Sequence, residues 1–80
     1  MPTILRHQAY RFYFYSNEPN EPPHIHVDRD NLSAKFWLEV VALARNRGFA
    51  ARELRQLAII VTGNQEKFLE AWHEYFDNDR

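Results

Sequence analysis

A change of hydrophobic period at Phe49 constrains this chain more than any other feature. Before it, apolar and polar residues alternate in short runs, the period of strands with one buried face; beyond it, apolar residues recur every three or four positions, the period of a helix. Leu54, Leu57, Val61, Phe68, Trp72 and Tyr75 form one such stripe. Gly63-Asn64 interrupts it, but the stripe keeps its phase across the junction, which predicts one bent helix or two nearly collinear ones. The start of this segment is weakly capped: Ala50 stands where Ser or Thr would serve, and only Glu53 of a capping box is present.

The first half divides at its turn residues. Thr3–Arg6 reads as a short strand followed by a turn at His7-Gln8, and Tyr10–Tyr15 as a β-rich run with Phe12 and Phe14 on one face. Residues 16–23, with three of the four prolines, form a loop through which no helix or central strand can run. His24–Val27 and Leu32–Leu38 are extended around the turn cluster 28–31. A two-residue loop at Arg29-Asp30 would pair Val27 with Leu32, His26 with Ser33, Ile25 with Ala34 and His24 with Lys35. Ile25, Val27, Leu32, Ala34 and Phe36 then share one face, and His24, His26, Ser33, Lys35 and Trp37 the other. Val40–Ala44 is a further extended piece before a turn at 45–48.

The expected fold is therefore α+β: a small antiparallel sheet of about four or five strands packed against a C-terminal helical segment, with 1–48 strand-rich and 49–80 helical in a single domain. Eighty residues bury only about 60% of the surface the unfolded chain exposes. Twelve aromatic rings are a large load for so small a core, which points to some of them lying at an interface with a partner or a second copy.

Several function classes fall away. There is no cysteine, so disulfides and thiolate metal sites are excluded. Two glycines cannot build a Gly-rich phosphate loop, and no cofactor motif is present. The first residues carry no apolar run of signal or membrane length, so a cytoplasmic location without membrane contact is expected. A net charge of −1 argues against strong non-specific nucleic-acid binding, although Arg45, Arg47, Arg52 and Arg55 cluster mid-chain while Glu66, Glu70, Glu74, Asp77 and Asp79 load the end.

Chemistry concentrates on the strand His24-Ile25-His26-Val27. Alternation puts both imidazoles on one face, roughly 7 Å apart at their Cα atoms. Three readings fit. Two histidines can act as acid and base near neutral pH; Lys35 could neutralise a phosphate oxygen, Trp37 stack on a base, and Arg45 and Arg47 extend the backbone contact, together a metal-free ribonuclease. Alternatively, the histidines bond loop carbonyls or Glu21, and the patch docks a protein with Trp37 as its anchor. The third reading is a small metal-binding protein, for which the missing third ligand would come from Glu21, Glu18, Asp28 or His73, none at a diagnostic spacing.

Met1-Pro2-Thr3-Ile4, the Tyr-Arg-Phe-Tyr-Phe-Tyr-Ser strand, Asn20-Glu21-Pro22-Pro23-His24-Ile25-His26-Val27, Ala34-Lys35-Phe36-Trp37-Leu38, Asn46, Gly48-Phe49, Glu53-Leu54 and the ending Trp72-His73-Glu74-Tyr75-Phe76 resemble the bacterial family Domain of Unknown Function 4160 over essentially the whole chain. Ala50 and Gly63 depart from the family pattern, where a capping residue and a helix former are usual. The resemblance implies a two-gene, toxin–antitoxin-like context. The partner it implies is a small protein of the family Domain of Unknown Function 2442. In that context the chain would be an RNA-directed toxin using the His24/His26 face, or the partner-binding module described above.

Overall fold

The computed structural model describes residues 3–15 and 20–76. Five strands, β1 (Thr3–His7), β2 (Tyr10–Tyr13), β3 (His24–Arg29), β4 (Leu32–Trp37) and β5 (Ala42–Arg47), precede two helices, α1 (Ala51–Gly63) and α2 (Gln65–Phe76). The strands form one antiparallel sheet in the order β1-β2-β3-β4-β5, a meander. The α+β architecture is the one the change of period predicts.

Directly opposed residues share a face, so the register sorts the sheet into rows. Leu5, Phe12, Val27, Ala34 and Asn46 form one inner row. On the outer face, Thr3, Tyr13, His26, Lys35 and Arg45 form one row and Arg6, Arg11, Asp28, Ser33 and Arg47 the next. The helices cover the inner face. Leu57 and Val61 of α1 and Phe68 and Trp72 of α2 are buried against Phe12, Phe14, Ile25, Val27, Phe36 and Leu38. The Phe12 ring stacks on Phe68 at 5.6 Å, and Phe14 meets Trp72 edge-on at 5.2 Å. Each such side chain contributes about 1.5–3 kcal/mol by leaving water. The core takes more aromatics than expected: Tyr10, Phe12, Phe14, Phe36, Phe49, Phe68 and Trp72 all belong to it.

Four boundaries differ from the sequence expectation. The β1–β2 turn is Gln8-Ala9 rather than His7-Gln8, with Gln8 at φ 56°. β2 pairs only through Tyr13; Phe14 and Tyr15 continue beyond the strand. The β3–β4 turn is Asp30-Asn31 rather than Arg29-Asp30, with Asp30 at φ 56°, a left-handed conformation that Asp tolerates. The pairing is therefore His24 with Trp37, Ile25 with Phe36, His26 with Lys35 and Val27 with Ala34. The slip is two residues, and because side chains alternate with period two the expected faces survive it. Finally, β5 runs over Ala42–Arg47 instead of Val40–Ala44, because pairing with β4 outweighs the weak strand preference of the Arg-Asn-Arg segment.

The chain enters α1 through a clamp. Asn46 Nδ2 donates to the Phe49 carbonyl and Asn46 Oδ1 accepts from the Phe49 amide, each at 3.0 Å, in place of a side-chain cap at Ala50. Gly48 sits at φ 99°, and a Cβ there would lie 2.5 Å from Leu32 Cδ2, so this corner requires glycine. At the other end, Asn64 both closes α1 and opens α2. Its amide donates to the Ile60 and Val61 carbonyls, its side chain donates to Ile60 at 2.8 Å, and its own carbonyl accepts from Phe68 at 2.9 Å. The helices are thus two segments joined by one residue with almost no loss of hydrogen bonding. Gln65 then ties the junction to the sheet by donating to the Leu38 carbonyl at 2.6 Å.

A second tie crosses from the sheet to α1. Arg29 grips Glu53 with two hydrogen bonds, Nε to Oε2 at 2.7 Å and Nη2 to Oε1 at 2.9 Å, and the Tyr10 hydroxyl donates to the same carboxylate at 2.5 Å. The Arg29 guanidinium, then the Tyr10 hydroxyl, hold the Glu53 carboxyl below its ordinary range; burial first, and Glu53 second, push the Tyr10 hydroxyl up.

Candidate functional site on the outer sheet face

β3 places His24 and His26 two residues apart, with ring centroids at 5.0 Å. Lys35 is opposite His26, and Trp37 is opposite His24 with its ring at 5.8 Å. The expected neighbours are therefore together. Their expected exposure is not observed. His24 is 0% exposed, His26 8% and Lys35 6%.

Each burial has a separate cause. His24 starts β3 where the end of α2 meets the sheet, and its ring lies 4.8 Å from that of Trp72. Its Nδ1 is 2.9 Å from the Pro22 carbonyl; since a carbonyl only accepts, Nδ1 carries the hydrogen and the tautomer is set by the loop. Pro22 and Pro23 hold that carbonyl in place, and Pro23 in turn accepts from the Leu38 amide at 3.0 Å, extending the ladder past the strand. His26 lies on the other side of the sheet from the helices, enclosed by aromatic rings: Tyr13 stacks on it at 5.4 Å and Tyr15 meets it edge-on at 4.5 Å.

Lys35 is held by Glu21, whose Oε1 lies 2.5 Å from Lys35 Nζ and 3.5 Å from His24 Nδ1. Its ammonium also sits 4.8 Å over the Trp37 ring. The Tyr13 hydroxyl donates to Asp28 at 3.0 Å and lies 3.5 Å from the Tyr15 hydroxyl; burial foremost, then these two neighbours, keep it protonated far above the ordinary tyrosine range. Arg11 covers the other side of the Tyr13 ring at 4.4 Å and donates to Thr3 at 2.8 Å.

Arg45 and Arg47 behave differently. Both are exposed on β5, project beside Lys35 and Ser33 by register, and make no ion pair with any described residue. They form one wall of a cleft of about 150 Å³ whose other sides are Tyr13, Tyr15, His26, Ser33 and Lys35. Two residues along β4 from Lys35, on the same face, Trp37 borders a separate shallow apolar groove of about 330 Å³ lined by Pro22, Pro23, Trp37, Glu39, Val40 and Ala42, with Val40 77% exposed.

The outer face thus offers guanidiniums, an indole and prolines to solvent, while its imidazoles and ammonium are already engaged. A guanidinium cannot exchange a proton near neutral pH but binds carboxylate or phosphate in a fork. This arrangement can bind, and the two imidazoles and the ammonium named for proton transfer are buried. Among the described residues no three of His, Cys, Asp and Glu come together to hold a metal ion. Of the third ligands considered, Asp28 is taken by Tyr13 and Glu21 by Lys35, and Glu18 lies outside the described residues.

The sequence named seven residues for this site, and the structure gathers all of them on or beside one face: Glu21, His24, His26, Lys35, Trp37, Arg45 and Arg47. It did not single out Ser33 or the Pro22–Val40 groove. The period-two alternation of β2 placed Tyr13 and Tyr15 together, but nothing local to β2 indicates that they close over His26.

A model of the family described as "Domain of unknown function (DUF4160)" matches residues 9–73. No curated protein and no solved structure matches the chain.

Proposed function

The chain belongs to the family described as Domain of unknown function (DUF4160), and from that membership we propose that it is the partner-binding component of a two-gene, toxin–antitoxin-like module. The partner is a small protein encoded beside it, of the family Domain of Unknown Function 2442 by resemblance, and it docks on the outer sheet face. One observation carries this reading: the apolar groove at Trp37 lies on the same face as the guanidiniums of Arg45 and Arg47, across Lys35 from them, and no described residue forms an ion pair with either. An apolar anchor flanked by charge is how protein interfaces are built, with Trp, Tyr and Arg supplying most of the binding energy. His24 and Glu21 serve this surface by fixing the loop and the Lys35 ammonium that border it.

The test is co-expression with the neighbouring gene product, followed by calorimetry on the purified proteins. Trp37→Ala should weaken binding by at least about tenfold, the range of an interface anchor, while circular dichroism remains native. Unchanged affinity in that variant, or no complex at all, overturns the reading.

A second reading is supported by the cleft itself, where His26, Lys35, Tyr15 and Arg45 could take an RNA backbone and an unstacked base. If the chain is an RNA-directed toxin, expressing it alone arrests bacterial growth and His26→Ala relieves the arrest. Harmless expression removes that reading.

A further inference from the structure

The two ends of the outer face lie along one strand that has no neighbour on its far side among the described residues. β5 is the last strand of the sheet, six residues without proline. Ala42, at its start, borders the Trp37 groove; Arg45 and Arg47, towards its end, wall the cleft. From Ala42 to Arg47 is five steps of ~3.3 Å, about 16 Å, less a little for the irregular register around Ala44.

We propose that β5 is the recognition strand for an extended segment of the partner, one that carries an apolar side chain for the Pro22–Trp37–Val40 groove and carboxylates two and four residues further along, on the same face, for Arg45 and Arg47, the spacing at which regular β4 sets Trp37, Lys35 and Ser33 opposite Ala42, Arg45 and Arg47. The inference rests on the docking reading and specifies it. Charge selects the occupant. The two guanidiniums are exposed, are adjacent on one face and have no described acidic partner, so each raises the energy of the other until an anion lies between or beside them.

A strand laid on the open edge would satisfy its own backbone against β5 while its alternate side chains reach the outer face. The groove requires no rearrangement to admit an apolar residue, since Val40 and the two prolines already present their carbons to water. Lys35, held by Glu21, sets the floor between the two subsites and leaves Arg45 and Arg47 to read the charges.

The probe is a synthetic peptide with a leucine followed by glutamates at the second and fourth positions beyond it, compared with the same peptide carrying lysines at those two positions. Titrated into the full chain, the glutamate peptide should bind about tenfold or more tightly than the lysine peptide, the effect of two partly exposed ion pairs. It should shift the backbone amide resonances of Ala42–Arg47, and its affinity should fall as salt is raised. The double substitution Arg45→Glu with Arg47→Glu should reverse the preference. Equal affinity for the two peptides, binding by neither, or shifts confined to other strands would each overturn the proposal. Its failure is separable from that of the docking reading: an intact partner that needs Trp37 but is indifferent to Arg45→Glu with Arg47→Glu preserves docking and eliminates the strand.

Discussion

The two faces of β3 are nearly equally inaccessible to water, and they reach that state by opposite means. On the inner face Ile25 and Val27 disappear beneath the helices among aliphatic and aromatic carbon. On the outer face His26 is enclosed by side chains that lie on the sheet itself: two tyrosines, with Lys35 held by Glu21 beside them. Burial by a second layer of the fold is apolar and shared among many side chains; burial on the outer face rests on ring contacts and hydrogen bonds between neighbouring side chains. The difference teaches that low exposure alone does not mark the residues of the apolar core here.

That contrast can be broken, and the most severe test falls on the inner face. Phe12→Ala, at a fully buried ring stacked on Phe68, should cost about 3–5 kcal/mol, a large part of the stability of a domain this size, and remove cooperative urea unfolding or shift it to very low denaturant. Phe12→Leu should retain a transition at a reduced midpoint. Next comes Gly48→Ala, which forces a Cβ against Leu32 at a positive φ and should cost roughly 1–3 kcal/mol by the same measurement. On the outer face, Tyr13→Phe removes the hydroxyl donated to Asp28 and should cost only about 0.5–1.5 kcal/mol. A loss on the scale of Phe12→Ala would mean that the outer layer is as cooperative as the core.

Gly63→Ala serves as a control belonging to neither face. Nothing lies within 4 Å of the added methyl, so it should stabilise the chain by about 0.5–1 kcal/mol. The smallest effect is read as a slope. The Glu53 carboxyl is held below its ordinary range by Arg29 and Tyr10, so its contribution is complete above the unfolded carboxylate pKa and is lost as pH falls through the folded one. Glu53→Gln should therefore flatten the acid limb of stability against pH below about 4.3, the unperturbed glutamate value, and leave the neutral-to-basic limb unchanged in shape.

What could be read from the sequence follows from which information is local. The division of β3 and β4 into an apolar and a polar face is written in alternation, and it survived a two-residue slip in register because only an odd slip exchanges faces. The same alternation brings His26 beside Lys35 and His24 beside Trp37. Their burial could not be read, because it is set by residues distant in sequence: Trp72 arrives from α2 and Tyr15 from beyond β2. Glu53 illustrates the same limit. Its position suggested half of a local helix cap, whereas its partners, Arg29 and Tyr10, are 24 and 43 residues away. The second half of β5 was missed because Arg and Asn are poor strand formers when judged alone, and pairing with β4 decided the matter.

The order of the strands also bears on how the molecule is made. Because every strand pairs only with its neighbours in the chain, no part of the sheet has to wait for a distant segment, and the longest connection between paired strands is the ten residues from β2 to β3. Such a sheet can zip from hairpin to hairpin, with the helices arriving last to seal one side. On that order β5 would pair with β4 before α2 brings Trp72 against His24, so the surface that carries Arg45 and Arg47 would form ahead of the His24 corner.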